Sequence, residues 1–201
     1  MDAIRWVRKE RLVYGFDASK IAVGGCSAGG HLALMTAYAP DSLTPGSADL
    51  KTYSAQVNCC VDVYGPAHLG KMLRPSLLPP VVALAHLVLP KSKMCERKML
   101  LEAFTQQGNS HPWRRHRICN LFSPVSYVDR AVPTLIFHGN KDGLVPFAQS
   151  RLLQKKLLKR KKTVLLKTIE GQDHGFPSLD KLRGEKIAAE TYNFLFRYNH
   201  D

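Results

Sequence analysis

Four short apolar runs mark the chain, and stretches of helical periodicity separate them. Lys20-Ile21-Ala22-Val23 has the length of a buried strand. Leu32-Ala33-Leu34-Met35-Thr36-Ala37 consists largely of good helix formers and predicts a helix to about Ala39, where Pro40 stops it. Gln56 to Tyr64 predicts a second strand, ended by Gly65-Pro66. Thr134 to His138 predicts a third, followed by a turn through Gly139-Asn140-Lys141-Asp142-Gly143. From Val145-Pro146 to about Lys159, the positions of Phe147, Leu152, Leu153 and Leu157 suit one helix face. Thr163 to Thr168 predicts the fourth strand. A last helix follows from about Asp180 to Tyr198, with Ile187, Ala188, Thr191, Phe194 and Leu195 inward. At the start, Asp2 to about Arg11 predicts a helix broken by Tyr14-Gly15-Phe16-Asp17, and Asp41 to Asp49 predicts a loop.

Strands that alternate with helices predict an α/β fold, a mostly parallel sheet with helices on both faces, in a single domain over residues 1–201. Between Ala67 and Pro124 the pattern loosens, because Pro75, Pro79, Pro80 and Pro90 cut it into short pieces. Within it, Lys93 to Gln107 predicts a helix carrying Met94, Met99, Leu101 and Phe104. A long irregular but apolar segment inside a compact domain reads as a cover over a site, so residues 67–124 are expected to form a cap-like insertion.

The first strand runs into Gly24-Gly25-Cys26-Ser27-Ala28-Gly29-Gly30-His31, which holds the pattern Gly25-x-Ser27-x-Gly29. A serine at the tip of a sharp strand-to-helix turn has strained backbone angles, and small residues two before and two after give the elements room. The helix start then points its N–H groups at the serine, where the Ala28 N–H would donate to an oxyanion. An ordinary Gly-rich turn shares the pentapeptide, and the flanking strand and helix are what sharpen it. Cys26 is a conceivable nucleophile, although the spacing puts Ser27 at the tip. In parallel sheets reactive groups gather beyond the carboxyl ends of the strands. Ser27 lies just past the first strand, Asp142 past the third and His174 past the fourth, so all three are expected on one rim. Taken singly, Asp142 is a turn aspartate and His174 a loop histidine. His31 and His138 read as packing residues or supports, and His68, His86, His111 and His116 have no evident partner. Asp173 rivals Asp142, but its adjacency to His174 should aim its side chain elsewhere.

Serine, aspartate, histidine in that chain order resembles the α/β-hydrolases. The resemblance runs over nearly the whole length and is carried by Gly24 to Ala33, by Pro133 to Pro146 and by Asp173-His174-Gly175-Phe176. With Ser123-Pro124-Val125-Ser126, these blocks are most similar to the esterase and lipase branch, within it to acetyl-xylan and feruloyl esterases. The prolyl-oligopeptidase branch shares the logic and is less similar. The resemblance implies ester hydrolysis through an acyl-enzyme, on small acyl or carbohydrate-linked esters, with no metal or cofactor. Ser27 would be the nucleophile, His174 the base, and Asp142 the group that fixes the imidazole. The family sheet has several strands ahead of the nucleophile strand, and this chain has room for one helix there. The loop that supplies a second oxyanion donor is therefore missing, at a typical cost of about 100- to 1,000-fold in rate. Two expectations stand side by side: a start upstream of Met1, or a truncated product whose bare Ile21-Ala22-Val23 edge invites a homodimer.

Composition narrows the rest. At 201 residues, 45% hydrophobic and 22% charged, the chain can bury a real core. No apolar run reaches membrane-spanning length, and Met1 to Trp6 lacks the pattern of a secretory leader; an upstream start would leave room for one. Five cysteines, Cys26, Cys59, Cys60, Cys95 and Cys119, form no CxxC pair and suggest neither zinc nor a disulfide framework. The net charge of +13 concentrates at Lys155-Lys156 with Lys159-Arg160-Lys161-Lys162, and at Arg114-Arg115-His116-Arg117. A solvated helix face and a loop explain both runs. A polyanion-binding module is the rival, but no aromatic residues alternate with the lysines to stack on nucleic-acid bases. Besides a serine esterase, the open readings are a non-catalytic or weakly active truncated hydrolase remnant, a polyanion-binding module and a prolyl-oligopeptidase-type peptidase.

Overall fold

Along Cys59-Cys60-Val61-Asp62-Val63 the side chains alternate between two apolar layers, which requires cover on both faces of the sheet. The computed structural model of the protein describes residues 1–72 and 112–199. Within them, β1 (Ala22–Cys26), β2 (Cys59–Val63), β3 (Thr134–Gly139) and β4 (Val164–Ile169) form one parallel sheet in the order β1-β2-β3-β4. One face is covered by α3 (Ala28–Tyr38) and α6 (Ala148–Lys159). There Leu34, Tyr38, Leu153 and Leu157 pack on Cys60 and Ile136. The other face is covered by α7 (Lys181–Asn199), whose Phe194 packs on Cys59, Val61, Leu135 and Phe137. The parallel α/β sheet expected from the alternation of periodicities is therefore present.

The boundaries differ for physical reasons. β1 continues past Val23 through Gly24 and Gly25 to Cys26, carried by register with β2 rather than by side-chain propensity. The first helix is two pieces, α1 (Asp2–Lys9) and α2 (Arg11–Tyr14), and Gly15 ends the second with φ +67°. The loop after α3 is pinned by α1: Arg5 is buried and bonds Asp2 (2.7 Å) and the Thr44 carbonyl (3.3 Å), while Arg8 bonds the carbonyls of Ser54 and Gln56 (both 2.7 Å).

A short helix, α4 (Leu69–Met72), follows β2. The basic run at Arg114, read as a loop, lies on α5 (Pro112–Leu121), and the Arg114 guanidinium stacks on Trp113. The helix expected from Lys93 to Gln107 and most of the expected cap-like insertion lie outside the described residues. Lys155, Lys156 and Lys159 project from the exposed side of α6, where cations near a helix C-terminus suit its dipole. Leu158 is 57% exposed among them. Among the described residues β1 pairs on one side only. Its side chains are not the bare apolar edge expected: Ile21 is buried and Ala22 and Val23 are half-buried, so what lies open is backbone. No helix among the described residues is long and apolar enough to cross a membrane.

Candidate active site

Each strand of the sheet ends on the same rim, and the three residues expected there meet. β1 passes into α3 at Ser27, whose backbone is strained at φ +55° and ψ −120°. Two bonds hold this turn. The Ser27 N–H donates to the Val63 carbonyl at the end of β2 (2.8 Å), and the His31 N–H donates to the Ser27 carbonyl (3.0 Å). Ser27 stands where a helix cap stands, yet its hydroxyl makes no cap bond and faces His174 instead, 2.9 Å from Nε2. Ala28 is the first residue of α3, so its N–H has no partner within the helix and points from the end where the dipole is positive.

The turn after β3 folds around Asp142. Its Oδ1 accepts the N–H groups of Leu144 (2.9 Å) and Val145 (2.8 Å), the kind of local bonding that aspartate offers a turn. Its Oδ2 lies 2.8 Å from His174 Nδ1. Burial pushes the Asp142 carboxyl up, but the hydrogen bonds from His138, His174 and the Val145 N–H outweigh it and hold the group well below the usual carboxylate range. An ionised carboxylate only accepts, so Nδ1 of His174 carries the proton and Nε2 is left to accept from the Ser27 hydroxyl.

His174 is positioned by its loop. The Asp173 carboxylate accepts the His174 N–H (2.7 Å) and the Gly143 N–H (2.8 Å), which ties the loop after β4 to the turn after β3. Asp173 thus fastens the loops and does not rival Asp142 at the imidazole. The buried Gln172 side-chain amide bonds the Ser178 backbone at both its ends and closes the loop, and the Gln172 backbone carbonyl accepts the Lys141 N–H (3.0 Å). The His174 ring also meets Tyr64, with centroids 4.7 Å apart, and Tyr64 meets Phe176 edge-on at 4.9 Å. Tyr64 and Phe176 have positive φ (+47° and +56°), as Ser27 does: Ser27 and Tyr64 contact the imidazole and Phe176 packs on Tyr64.

The remaining predicted residues divide. Gly25 faces Gly29 across the turn, and Cys26 is exposed, with the Tyr64 hydroxyl beside its thiol and outside the Ser27–His174–Asp142 line. Burial, with Cys26 and Asp142 nearby, pushes the Tyr64 hydroxyl up to about 12. His31 is buried and bonds the Pro66 carbonyl through Nδ1 (2.8 Å). His116 pairs with Asn120 on the exposed side of α5 (2.9 Å), and His86 and His111 lie outside the described residues. Among the described residues no three His, Cys, Asp or Glu side chains gather as a metal ion would need.

Sequence reasoning passed over Asp62. It is fully buried, opposite Gly25 in the β1–β2 register, and accepts the Gly65 N–H through Oδ1 (2.9 Å). Burial pushes its carboxyl up to about 8 against that one bond. The signal was available as a charged residue inside a run read as a buried strand.

Comparison with known proteins bears on the family and the fold. The profile of the family described as BD-FAE matches residues 1–157. Over 200 residues the chain is 30% identical to the esterase LipQ of Mycobacterium tuberculosis and 28% identical to LipM, a probable carboxylic ester hydrolase of the same organism. Each alignment covers 96% of this chain and 41% of the relative. Esterase 2 of Thermogutta terrifontis superimposes with a TM-score of 0.68 at 29% identity, over 97% of this chain and 61% of that one. The same esterase has been solved phosphorylated by paraoxon (TM-score 0.66, 27% identity, 97% of this chain and 60% of that one). The chain therefore spans less than half the length of LipQ and LipM, and with its parallel sheet and a profile match over residues 1–157 it belongs to the BD-FAE family of α/β-hydrolase esterases.

Proposed function

We propose that the protein is a serine carboxylic-ester hydrolase that works through an acyl-enzyme, with Ser27 as nucleophile, His174 as base and Asp142 as the acid behind it. The observation that carries this is the continuous line from Ser27 Oγ through His174 to Asp142, at 2.9 and 2.8 Å. A serine hydroxyl is a weak nucleophile at neutral pH. His174 Nε2 takes its proton as Oγ bonds to the ester carbonyl carbon, and the carbonyl electrons move onto oxygen. The Ala28 N–H donates to that oxyanion, and Asp142 stabilises the imidazolium. The intermediate then collapses, the C–O bond to the alcohol breaks, and His174 returns the proton to the departing alkoxide. Water, deprotonated by the same imidazole, releases the acid and restores Ser27. Small acyl esters and carbohydrate-linked esters are the proposed substrates.

Hydrolysis of p-nitrophenyl acetate by the protein and by its Ser27→Ala variant is the test. Turnover should fall by at least about a thousandfold in the variant. Turnover that survives unchanged in a folded variant would remove Ser27 from the chemistry.

A further inference from the structure

The catalytic reading uses one imidazole, but the Asp142 carboxylate has two. His138 is the fifth residue of β3 and fully buried. Its Nε2 lies 2.9 Å from the Val145 carbonyl oxygen and 3.3 Å from Asp142 Oδ2, the same oxygen that His174 engages. Both oxygens are acceptors, since a backbone carbonyl has no proton and Asp142 is ionised. A bare nitrogen lone pair facing them would be repelled, so Nε2 carries the hydrogen and shares it between them. In a neutral ring Nδ1 is then the acceptor. The group facing it is the Ser150 hydroxyl on α6, at 2.6 Å, which can donate. The ring is braced edge-on by Phe147 at 5.7 Å.

We propose that His138 is a positioning residue for Asp142: a neutral imidazole, held by Ser150 as the Nε2–H tautomer, that donates to the oxygen serving His174. This rests on the catalytic reading above. The Oδ1 oxygen is already fixed by the Leu144 and Val145 N–H groups. With the His138 N–H on the other oxygen, the carboxylate cannot rotate away from His174. The donated hydrogen also draws charge from Oδ2, so Asp142 binds an imidazolium at His174 less tightly than an unshared carboxylate would. A base that is held but not over-stabilised when protonated can both take and return its proton. The other groups around His174 are the Ser27 hydroxyl, the Tyr64 ring with Cys26 beside its hydroxyl, and Asp173, whose carboxylate is occupied by backbone N–H groups.

Histidine-labelled NMR of the whole protein tests this without relying on activity. The His138 ring should be found as the Nε2–H tautomer, with Nδ1 accepting from Ser150. A Nδ1–H tautomer, or a doubly protonated ring, overturns the proposal. In H138L kcat should fall about tenfold with KM unchanged, because Asp142 loses the donor that holds it against His174. In H138Q, whose side-chain amide can present an N–H near the same position, kcat should return towards the original. A folded H138L with kcat unchanged, or an H138Q that recovers nothing, overturns the proposal. If H138L does not fold, the tautomer in the unsubstituted protein decides. Ser27→Ala run alongside separates the two readings: hydrolysis that survives it overturns the esterase mechanism, whereas the tautomer of His138 is read independently.

Discussion

A Cβ added to Gly25 would fall well inside 3.0 Å of the carbonyl group of Gly29, across the turn that carries Ser27. The relationship is one-sided. A Cβ on Gly29 would meet nothing within 4 Å among the described residues, because it leaves the first turn of α3 on the outer side. Gly25→Ala must push backbone against backbone, and should cost roughly 1–3 kcal/mol in urea unfolding together with activity. Gly29→Ala should be neutral, or stabilising by up to about 1 kcal/mol, since it replaces a glycine inside a helix. Equal losses in the two variants would contradict this geometry.

Tyr64 holds a strained backbone angle with its ring against His174. Such a conformation costs on the order of 1–3 kcal/mol and persists only where the surroundings enforce it. Tyr64→Phe keeps the ring contact and should keep kcat within about twofold. Tyr64→Ala frees one side of the imidazole and should lower kcat about tenfold. Steady-state kinetics on both variants checks the difference, and an equal effect would place the importance in the hydroxyl beside Cys26.

Asp62 and Asp142 should give stability opposite dependences on pH. The folded Asp62 carboxyl is raised from the ordinary 3.8 to about 8. Between those values the folded state holds the proton that the unfolded chain releases. Its contribution is therefore fully present below about pH 4 and is lost as pH rises towards 8. Asp142 is depressed, so its contribution is present above 3.8 and is lost as pH falls below that. Asp62→Asn keeps an acceptor for the Gly65 N–H and removes the ionisation. Its melting temperature should lose the decline between pH 4 and 8 and exceed that of the unsubstituted protein at pH 8.

Asp142→Asn should leave the fold in place and reduce kcat by about three to four orders of magnitude, because an amide no longer dictates the protonated nitrogen of His174. The same substitution at Asp173 should act through the loop it fastens, raising mobility around His174 with a smaller loss of rate. Kinetics on the two variants ranks them.

The strands and large helices were legible because β1 to β4 are buried apolar runs and α3, α6 and α7 carry an apolar face. Ser27, Asp142 and His174 stood out because the residues around Ser27 advertise a sharp turn and each follows a strand end. Their neighbours did not. Tyr64, His138 and Asp62 acquire meaning from what adjacent strands bring across, and nothing local to them says which chain segment will lie opposite. His138 reads as the end of a strand until Ser150 and Asp142 are seen on either side of it. Gly29 looked equivalent to Gly25 because spacing does not reveal which way a missing Cβ would point. Glu10 interrupts the first helix without a proline or glycine to announce it.

The measurement that bears most directly on the central claim is covalent labelling by paraoxon followed by peptide mass spectrometry. Esterase 2 of Thermogutta terrifontis is phosphorylated by this compound. The folded protein should acquire one diethylphosphoryl group on Ser27, and Ser27→Ala should acquire none. A folded protein left unmodified, or one modified on Cys26 with Ser27 untouched, would contradict the assignment of Ser27 as an activated nucleophile.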